Sequence, residues 1–389
     1  MAQLKGIVDA AHARGIKVLL DYAMNHVHQD AQIYQDHPDW FWPLDAGGRT
    51  CVCGDGCTWE GDDGRRCWFR DYLPDWNFQN PDARTASIDN AMWWIDQTGI
   101  DGYRLDAVKH IETIWIDELR DRVRAVEEER GERFYMVGET FDTGNRDLLK
   151  QYVGPDLLDG QFDFPQRTQA VEIILRRTGT FFDLDGFLGS NDTFYDPGIM
   201  STFLGNHDIA RIVHNAEDSP WGAYDSGGSG AVWDNPPGQP DYGAPYERLA
   251  VGFTFLMTTK GIPLVYYGDE LGLAGAGDPD NRRFMPWDED AITDDMEGLR
   301  THLKKLGTIR RENPALWRGT RSTVFVSNDT YAYRMTDGQD IVYVAINRGD
   351  LDGTVEGMPA GATDLLTGDA ASGPILTLPP RSSMILREE

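Results

Sequence analysis

Hydrophobic and polar positions alternate along most of the chain in blocks that predict a strand followed by a helix. Leu4, Ile7, Val8 and Ala11 recur at helical spacing, and the apolar run 16–22 after them is typical of a buried parallel strand. Later blocks predict helices at 82–98, 112–129, 144–152, 166–177, 246–259 and 296–311, and strands at 102–105, 134–137, 160–164, 200–204 and 262–267. This order predicts a parallel sheet covered by helices, either a closed eight-stranded barrel or an open doubly wound sheet.

Two regions depart from this pattern. Residues 28–80 are rich in Gly, Asp, Trp and Cys without a steady period, which predicts a long structured excursion after a strand. From about residue 319 short alternating strands replace the helices, which predicts a small antiparallel β-sandwich. We therefore expect a catalytic domain at 1–317, including the excursion, and a C-terminal sandwich domain at 318–389.

All four cysteines lie inside the excursion, at Cys51, Cys53, Cys57 and Cys67. Four thiolates in one loop could hold a structural zinc ion, but the spacing lacks the paired C-x2-C knuckles common in such sites. Two disulfide bonds formed in an oxidising compartment are the favoured interpretation. Three pairings are possible, and the spacing does not choose among them.

Composition narrows the function classes. The formal net charge is −28, and such a surface repels phosphate backbones, so nucleic acid is not an expected partner. No apolar run approaches the ~20 residues that span a bilayer. No glycine-rich phosphate-binding motif follows a predicted strand, so nucleotide binding has no support. A neutral substrate suits the chain better.

Polar residues follow four of the predicted strands at the point where each strand ends. The clusters span 21–26, 101–110, 137–140 and 203–208. A charged side chain directly after buried residues is costly unless it is paired or functional. Because parallel strands in a barrel end on one rim, we expect these clusters to form one site.

The four clusters resemble the four conserved regions of glycoside hydrolase family 13, the α-amylase family. "LPDWN" at 73–77 resembles its fifth region, and "GIPLVYYGDELG" with "GDPDNRRFMPW" resembles its last strand and the following loop. The resemblance implies a (β/α)8 TIM barrel that hydrolyses α-1,4-glucosidic bonds with retention. It implies that Asp106 is the nucleophile, Glu139 the proton donor and Asp208 the third carboxylate, which binds sugar hydroxyls.

The resemblance also implies a set of substrate-binding residues. Arg104 stands two residues before Asp106, on the same side of a strand, where its cation would keep that carboxylate ionised. Asp21 matches a residue that orients Arg104, and Lys109 with His110 matches a pair on the leaving-group side. The complete set of expected substrate-binding residues is Asp21, His26, Arg104, Lys109, His110, His207, Asp278 and Arg282.

Calcium is the cofactor that the resemblance implies. The matching positions are Asn25, Asp75 and the backbone carbonyl of His110, and oxygen ligands of this kind suit Ca²⁺. The family often has a further acidic ligand just before a Cys-Trp pair. Here Arg65 and Arg66 stand at that point, and Asp62, Asp63 or Asp71 would have to substitute.

Counting strands back from 16–22 leaves the first two barrel strands without a source, so we expect a barrel lacking those strands in this chain. The expected activity is that of an α-amylase acting on starch and maltooligosaccharides. A cyclomaltodextrinase or glucanotransferase of the same family is the alternative, and a non-catalytic barrel protein is a more distant one. We expect a secreted or periplasmic monomer, with any targeting signal upstream of Met1.

Overall fold

The computed structural model describes residues 1–45 and 47–388, and these residues form two compact units. The first unit comprises Met1–Phe162 with Pro197–Met200, and the second comprises Asp163–Asp196 with residues 201–388. Within the described residues, no helix is long and apolar enough to cross a membrane.

The first unit is built on a parallel four-stranded sheet. Its strands, in spatial order, are β1 (Leu19–Tyr22), β2 (Gly102–Leu105), β3 (Tyr135–Gly138) and β4 (Gly160–Gln161). Asp21 lies opposite Arg104 in the register of β1 and β2. The main helices of this unit are Ala2–His12, Pro81–Thr98, Thr113–Arg130 and Arg146–Lys150. The predicted alternation of strands and helices is confirmed, although the helix predicted at 144–152 is shorter.

The helix Pro81–Thr98 shows how local sequence sets an element's bounds. The Asn80 side chain accepts hydrogen bonds from two backbone N–H groups of the first turn, and Pro81 begins the helix with a suitable φ. Gly99 ends it in the left-handed conformation with φ of 74°, which costs glycine little. The helix then packs its buried face into the apolar core of the unit, which includes Ile88, Ile95, Tyr103, Leu105, Trp115, Ile116 and Leu119.

The excursion contains short elements held together by two disulfide bonds. Its helical turns are Gln32–Asp36, Pro38–Trp40 and Gly61–Gly64, and its short paired strands are Val52–Cys53 and Gly56–Cys57. The disulfides join Cys51 to Cys57 and Cys53 to Cys67. The prediction of disulfides is confirmed, and no cysteine thiolate remains for zinc among the described residues.

The second unit contains a parallel strand pair and most of the remaining helices. The strands are β5 (Ser201–Phe203) and β6 (Ile262–Leu264). The helices include Phe164–Ala170, the π-helical turn Val171–Leu175, Phe181–Asn191, Gly228–Trp233, Ala244–Met257, Asp294–Glu312 and Ala315–Arg318. Short 3-10 turns lie at Ile212–Asn215, Asp269–Leu271, Asp280–Arg282 and Glu289–Ala291. Buried apolar side chains such as Leu175, Phe181, Leu249, Phe253 and Leu306 form its core.

Two elements predicted near here are present with different bounds. The strand predicted at 160–164 stops at Gln161, and a helix begins at Phe164 because the Asp163 side chain accepts a hydrogen bond from Gln166 N at 3.0 Å. The single helix predicted at 166–177 divides into an α-helix and the π-helical turn. The sequence analysis also missed the helix Phe181–Asn191.

The C-terminal part of the second unit is antiparallel, as predicted. Its strands are β7 (Thr320–Val326), β8 (Thr330–Asp337), β9 (Asp340–Asn347), β10 (Gly353–Glu356), β11 (Thr363–Asp364), β12 (Ile375–Leu378) and β13 (Ser382–Arg387). Five of them form a sheet in the order β11-β13-β9-β8-β7, and β10 pairs with β12. Side chains from both sheets pack together, including those of Ala332, Ala345, Val355, Leu376 and Leu386.

The burial of His302 is expected to make the stability of the second unit pH-dependent. His302 lies on the helix Asp294–Glu312, and burial of its side chain lowers its pKa to about 4. A hydrogen bond to the Ala250 carbonyl opposes this shift. The unfolded chain binds this proton near pH 6.5, so unfolding takes up a proton between pH 6.5 and 4. The stability contribution is present above pH 6.5 and is lost as the pH falls, by about 3 kcal/mol at most.

We therefore expect His302→Gln to flatten the loss of unfolding free energy between pH 6.5 and 4. Glutamine retains a polar contact to Thr254 Oγ1, which lies 2.9 Å from His302 Nε2. Urea unfolding at several pH values measures this slope. His28→Gln, at an exposed histidine of the excursion, is the matched control and should leave the slope unchanged. An unaltered slope in the His302 variant would contradict the assignment.

Candidate active site

Three carboxylates surround one guanidinium at the carboxyl ends of β1, β2 and β3. Arg104 Nη1 donates to Asp21 Oδ1 at 2.9 Å and to Asp106 Oδ1 at 2.6 Å. Arg104 Nη2 lies 2.8 Å from Glu139 Oε2. The three predicted residues from three separate strand ends therefore converge on Arg104.

The backbone holds these carboxylates in place just beyond the regular strands. Asp106 N donates to Tyr22 O at 3.1 Å, and Glu139 N donates to Leu105 O at 2.8 Å. These bonds continue the parallel hydrogen-bond ladder for one more residue. The backbones of Asp106 and Glu139 are therefore held by the sheet, which restricts where their side chains can lie.

The electrostatics of the cluster favour the charged form of Arg104. Burial alone would lower the pKa of Arg104, but the negative charges of Glu139, Asp106 and Asp21 outweigh it and raise that pKa. Arg104 therefore remains a cation whenever the carboxylates beside it are ionised. A fixed cation between two carboxyl groups can orient both without taking part in proton transfer.

His26 lies in the same unit, near Asp106. Burial lowers the pKa of His26, and the negative charge of Asp106 partly opposes this shift. Its ring packs against Phe69 with centroids 5.2 Å apart, and Nδ1 lies 3.1 Å from Asn25 Oδ1. A neutral imidazole held this way can exchange hydrogen bonds with sugar hydroxyls.

Lys109 and His110 follow Asp106 in a short 3-10 turn, Val108–His110. Burial lowers the pKa of His110 to about 4, and its Nδ1 donates to Gly64 O at 2.8 Å. Lys109 Nζ donates to Glu60 Oε1 at 2.7 Å. Both side chains thus face the disulfide-bonded part of the excursion.

The predicted calcium ligands are brought together by the structure. Asn25 Nδ2 lies 3.1 Å from His110 O and 3.4 Å from Asp75 Oδ1. Asp75 Oδ2 is buried and has no hydrogen-bond partner among the described residues. Burial raises the pKa of Asp75 well above its usual range, and the nearby charge of Glu112 adds to this effect. Turning the Asn25 amide over would present a third oxygen, so the donor set fits a hard cation.

Three other carboxylates are alternatives as calcium ligands: Asp62, Asp63 and Asp71. The first two form ion pairs with arginines, and no contact among the described residues places Asp71 beside Asn25. Asp62 pairs with Arg65 at 2.6 Å, and Asp63 pairs with Arg49 at 3.1 Å. Among the described residues, no three His, Cys, Asp or Glu side chains form a group suited to a metal ion. The oxygen set at Asn25 and Asp75 depends instead on an amide and a backbone carbonyl.

The second unit brings four other predicted residues together. Arg282 Nη2 lies 3.8 Å from Asp208 Oδ1, and Arg282 Nε lies 3.1 Å from Asp278 Oδ1. His207 Nε2 lies 3.3 Å from Asp208 Oδ1. The buried side chain of Asn281 donates to His207 O at 2.8 Å and so anchors this group. Asp208, His207, Asp278 and Arg282 thus form one polar cluster within their unit.

Sequence reasoning missed three residues that shape these clusters. Phe69 packs against the rings of both His26 and His110, Glu60 pairs with Lys109, and Asn281 holds the backbone of His207. Asn281 lies within the segment "GDPDNRRFMPW" that follows the last strand. Phe69 and Glu60 carry no local signal, because their contacts join positions 40 to 50 residues apart.

A family model described as "Alpha amylase, catalytic domain" matches residues 1–226, which is more than half of the chain. The chain belongs to the α-amylase family. A second model, described as "Beta-galactosidase C-terminal domain", matches residues 330–388. Membership of the α-amylase family confirms the resemblance seen in the four polar clusters.

Two relatives of this chain have names that describe different activities. The chain is 28% identical over 393 residues to a cyclomaltodextrin glucanotransferase of Geobacillus stearothermophilus, covering 95% of this chain and 49% of that protein. It is 26% identical over 400 residues to a cyclomaltodextrinase of Thermoanaerobacter pseudethanolicus, covering 98% of this chain and 61% of that one. The chain thus spans about half the length of the glucanotransferases it matches.

Solved structures support the same assignment. The α-amylase of Geobacillus thermoleovorans, solved with acarbose, has a TM-score of 0.79 and 29% identity, over 100% of this chain and 81% of that chain. An Anoxybacillus α-amylase has a TM-score of 0.80 and 29% identity, over 99% and 78%. These likenesses confirm an α-amylase-type barrel fold with an antiparallel C-terminal region.

Proposed function

We propose that this chain carries the catalytic residues of a retaining α-glucan hydrolase that cleaves α-1,4 bonds in starch and maltooligosaccharides. The observation that carries the proposal is the single guanidinium of Arg104, which contacts both Asp106 and Glu139. Retaining glycosidases need two carboxyl groups on either side of one bond, ~5 to 5.5 Å apart. The contact of one guanidinium with both carboxyl groups brings them to a common point, which supports this chemistry.

In the proposed reaction, Asp106 attacks the anomeric carbon while Glu139 protonates the leaving oxygen. The bond to the leaving sugar breaks, and a glycosyl ester forms on Asp106. Glu139, now a carboxylate, then takes a proton from water, which attacks the ester and regenerates Asp106. Two inversions at the same carbon give retention of configuration. Arg104 contacts both carboxyl groups and orients them.

The remaining predicted residues have binding roles in this proposal. His26 binds hydroxyls of the sugar whose bond is cleaved, and His207 and Asp208 bind sugar hydroxyls. Lys109 and His110 bind the sugar on the leaving-group side. Asp278 and Arg282 bind sugars further toward the non-reducing end, and Asp21 orients Arg104.

The test is to follow starch digestion by proton NMR and product chromatography. We expect oligosaccharides whose new reducing ends form first in the α configuration. A β-configured first product, or no cleavage of starch by the folded protein, would overturn the proposal.

Transfer to a sugar hydroxyl instead of water is the second proposal, favoured by the relatives named as cyclomaltodextrin glucanotransferase and cyclomaltodextrinase. The same ester on Asp106 would serve both reactions. Incubation with starch and separately with cyclodextrin distinguishes them, because a glucanotransferase makes cyclic products and a cyclomaltodextrinase opens them to linear ones.

We propose that Ca²⁺ binds at Asn25, Asp75 and the backbone carbonyl of His110. The support is the buried, unpartnered oxygen of Asp75 and the convergence of the three groups. The ion would neutralise the buried carboxylate and fasten the excursion to the turn that carries His110. Its contribution is structural.

We expect saturating Ca²⁺ to raise the thermal midpoint of the protein and chelation to lower it. Binding at 100 times Kd stabilises the folded state by about 2.7 kcal/mol, which is a shift of a few degrees. In Asp75→Asn the midpoint should no longer respond to Ca²⁺, whereas Asp39→Asn, at an exposed carboxylate of the same excursion, should respond normally. Differential scanning calorimetry makes the comparison, and a wild-type midpoint indifferent to Ca²⁺ would refute the site.

We further propose that β1 to β6 are strands three to eight of a (β/α)8 barrel within a domain at 1–317, followed by a sandwich domain at 318–389. The support is β1, which pairs with a strand on one side only among the described residues and leaves Leu19 39% exposed. A segment outside these residues would supply strands one and two. Hydrogen exchange at the backbone amides of β1 tests this. These amides exchange slowly when a further strand pairs with β1 and quickly when that edge is free.

The two disulfides support a secreted or periplasmic protein, since such bonds persist in oxidising compartments. We propose that it acts there as a monomer. Fractionation of the producing cells tests the location, and light scattering of the purified protein tests the oligomeric state.

A further inference from the structure

The two disulfides close a short segment of the excursion, residues 57–67, at both ends. Cys57 is joined to Cys51, and Cys67 is joined to Cys53. All four cysteines are buried. The residues between them are therefore held by covalent bonds and can position a side chain more firmly than an unconstrained surface loop.

This segment rests on the turn that carries His110. A Cβ at Gly64 would lie 2.4 Å from Trp59 O and 3.6 Å from His110 Nδ1. Glycine at this position therefore lets the backbone approach closely enough for Gly64 O to accept the 2.8 Å hydrogen bond from His110 Nδ1. The Trp59 ring lies edge-on to the His110 ring, with centroids 5.7 Å apart. These two contacts hold the segment 57–67 against the turn that carries His110.

From this position Glu60 reaches Lys109. The Lys109 side chain is only 11% exposed, whereas that of Glu60 is 62% exposed, and the two charged groups are 2.7 Å apart. The turn bearing Lys109 is itself tied to the catalytic strand end, because Val108 N donates to Glu139 O at 2.8 Å. Glu60 therefore pairs with a cation whose chain neighbour, Val108, is hydrogen-bonded to the backbone of the proposed proton donor.

We propose that Glu60 is a positioning residue that holds the Lys109 ammonium toward the sugar on the leaving-group side. This inference rests on the proposed function, and it names a residue that sets affinity for substrates extending past the cleaved bond. An ammonium has three donors on a flexible four-carbon stem. Glu60 engages one donor and fixes the stem, which leaves the other two for hydroxyls of the substrate.

Glu60 is the exposed partner of this ion pair, so replacing its carboxylate should alter binding and leave the fold intact. Without the Glu60 carboxylate, the Lys109 ammonium would adopt several positions. Sugar binding would then have to restrict it to one of them, at a cost in conformational entropy. The loss should fall on substrates that reach Lys109. It should not affect substrates whose leaving group is a single aryl ring.

The test is Glu60→Gln, assayed on maltoheptaose and on an aryl α-maltotrioside. We expect KM for maltoheptaose to rise about 3- to 10-fold, the loss of one charge-assisted contact, with kcat nearly unchanged. KM for the aryl substrate should stay the same. Glu60→Asp, which keeps the charge on a shorter stem, should recover part of the affinity. Asp55→Asn, at an exposed carboxylate between the cysteines, is the matched control and should behave as wild type.

A double-mutant cycle with Lys109→Met separates positioning from a general effect of charge. If Glu60 acts through Lys109, Glu60→Gln should change KM for maltoheptaose little once Lys109 is gone. Additive effects, or a Glu60→Gln variant that matches Asp55→Asn, would overturn the inference. Either result would leave the proposed function standing, since that function fails only if the wild-type protein does not cleave α-1,4 bonds with retention.

Discussion

Glu139→Gln is expected to lower kcat on starch by about 10²- to 10⁴-fold, because an amide cannot protonate the leaving oxygen. The fold should survive, since the glutamine carbonyl can still accept the hydrogen bond from Arg104 Nη2 that Glu139 Oε2 receives at 2.8 Å. Far-ultraviolet circular dichroism and the thermal midpoint check the fold. Glu132→Gln, at an exposed carboxylate paired with Lys17, is the control and should retain full activity.

A substrate with a good leaving group sharpens this result. α-Maltosyl fluoride needs no proton to lose fluoride, so the first step should be nearly normal in Glu139→Gln and the ester on Asp106 should accumulate. Azide, which needs no general base, should then speed turnover and give the α-glycosyl azide. Equal losses on starch and on the fluoride would show that Glu139 is not the acid.

Asp106→Asn is expected to have the largest effect of any substitution, a loss of about 10⁴-fold or more in kcat, because it removes the nucleophile. Its side chain is 26% exposed, and Arg104 keeps Asp21 and Glu139 as partners, so folding should change little. Quenched-flow assays on starch, with thermal unfolding as the check on folding, measure both.

The products formed with azide distinguish a variant that lacks the Asp106 nucleophile from one that lacks the Glu139 acid. In an Asp106→Ala protein, azide can occupy the space of the nucleophile and attack once, which gives the inverted β-glycosyl azide. The Glu139 variant should give the α product. If both variants gave the same anomer, the assignment of nucleophile and acid to these two residues would be wrong.

The strands of the first unit, and the positions of Asp106 and Glu139 at the strand ends, could be predicted because their signals are local. β2 lies at Gly102–Leu105, as predicted, since a short apolar run ends there in charged residues. The helix Phe181–Asn191 was missed because Gly186 and Gly189 weaken its helical signal. The capping box between Thr180 and Asp183, together with burial of its apolar face, stabilises that helix.

Sequence alone determined that this is an α-amylase-family chain, that a parallel sheet precedes an antiparallel one, and that Asp106 and Glu139 end neighbouring strands. These conclusions follow from residue types at fixed short spacings, which reflect backbone periodicity and the chemistry of carboxylates. Only the tertiary structure decided which cysteines pair, that one guanidinium serves Asp21, Asp106 and Glu139, and that Glu60 meets Lys109. Those contacts join residues distant along the chain, and their partners are chosen by how the whole unit packs.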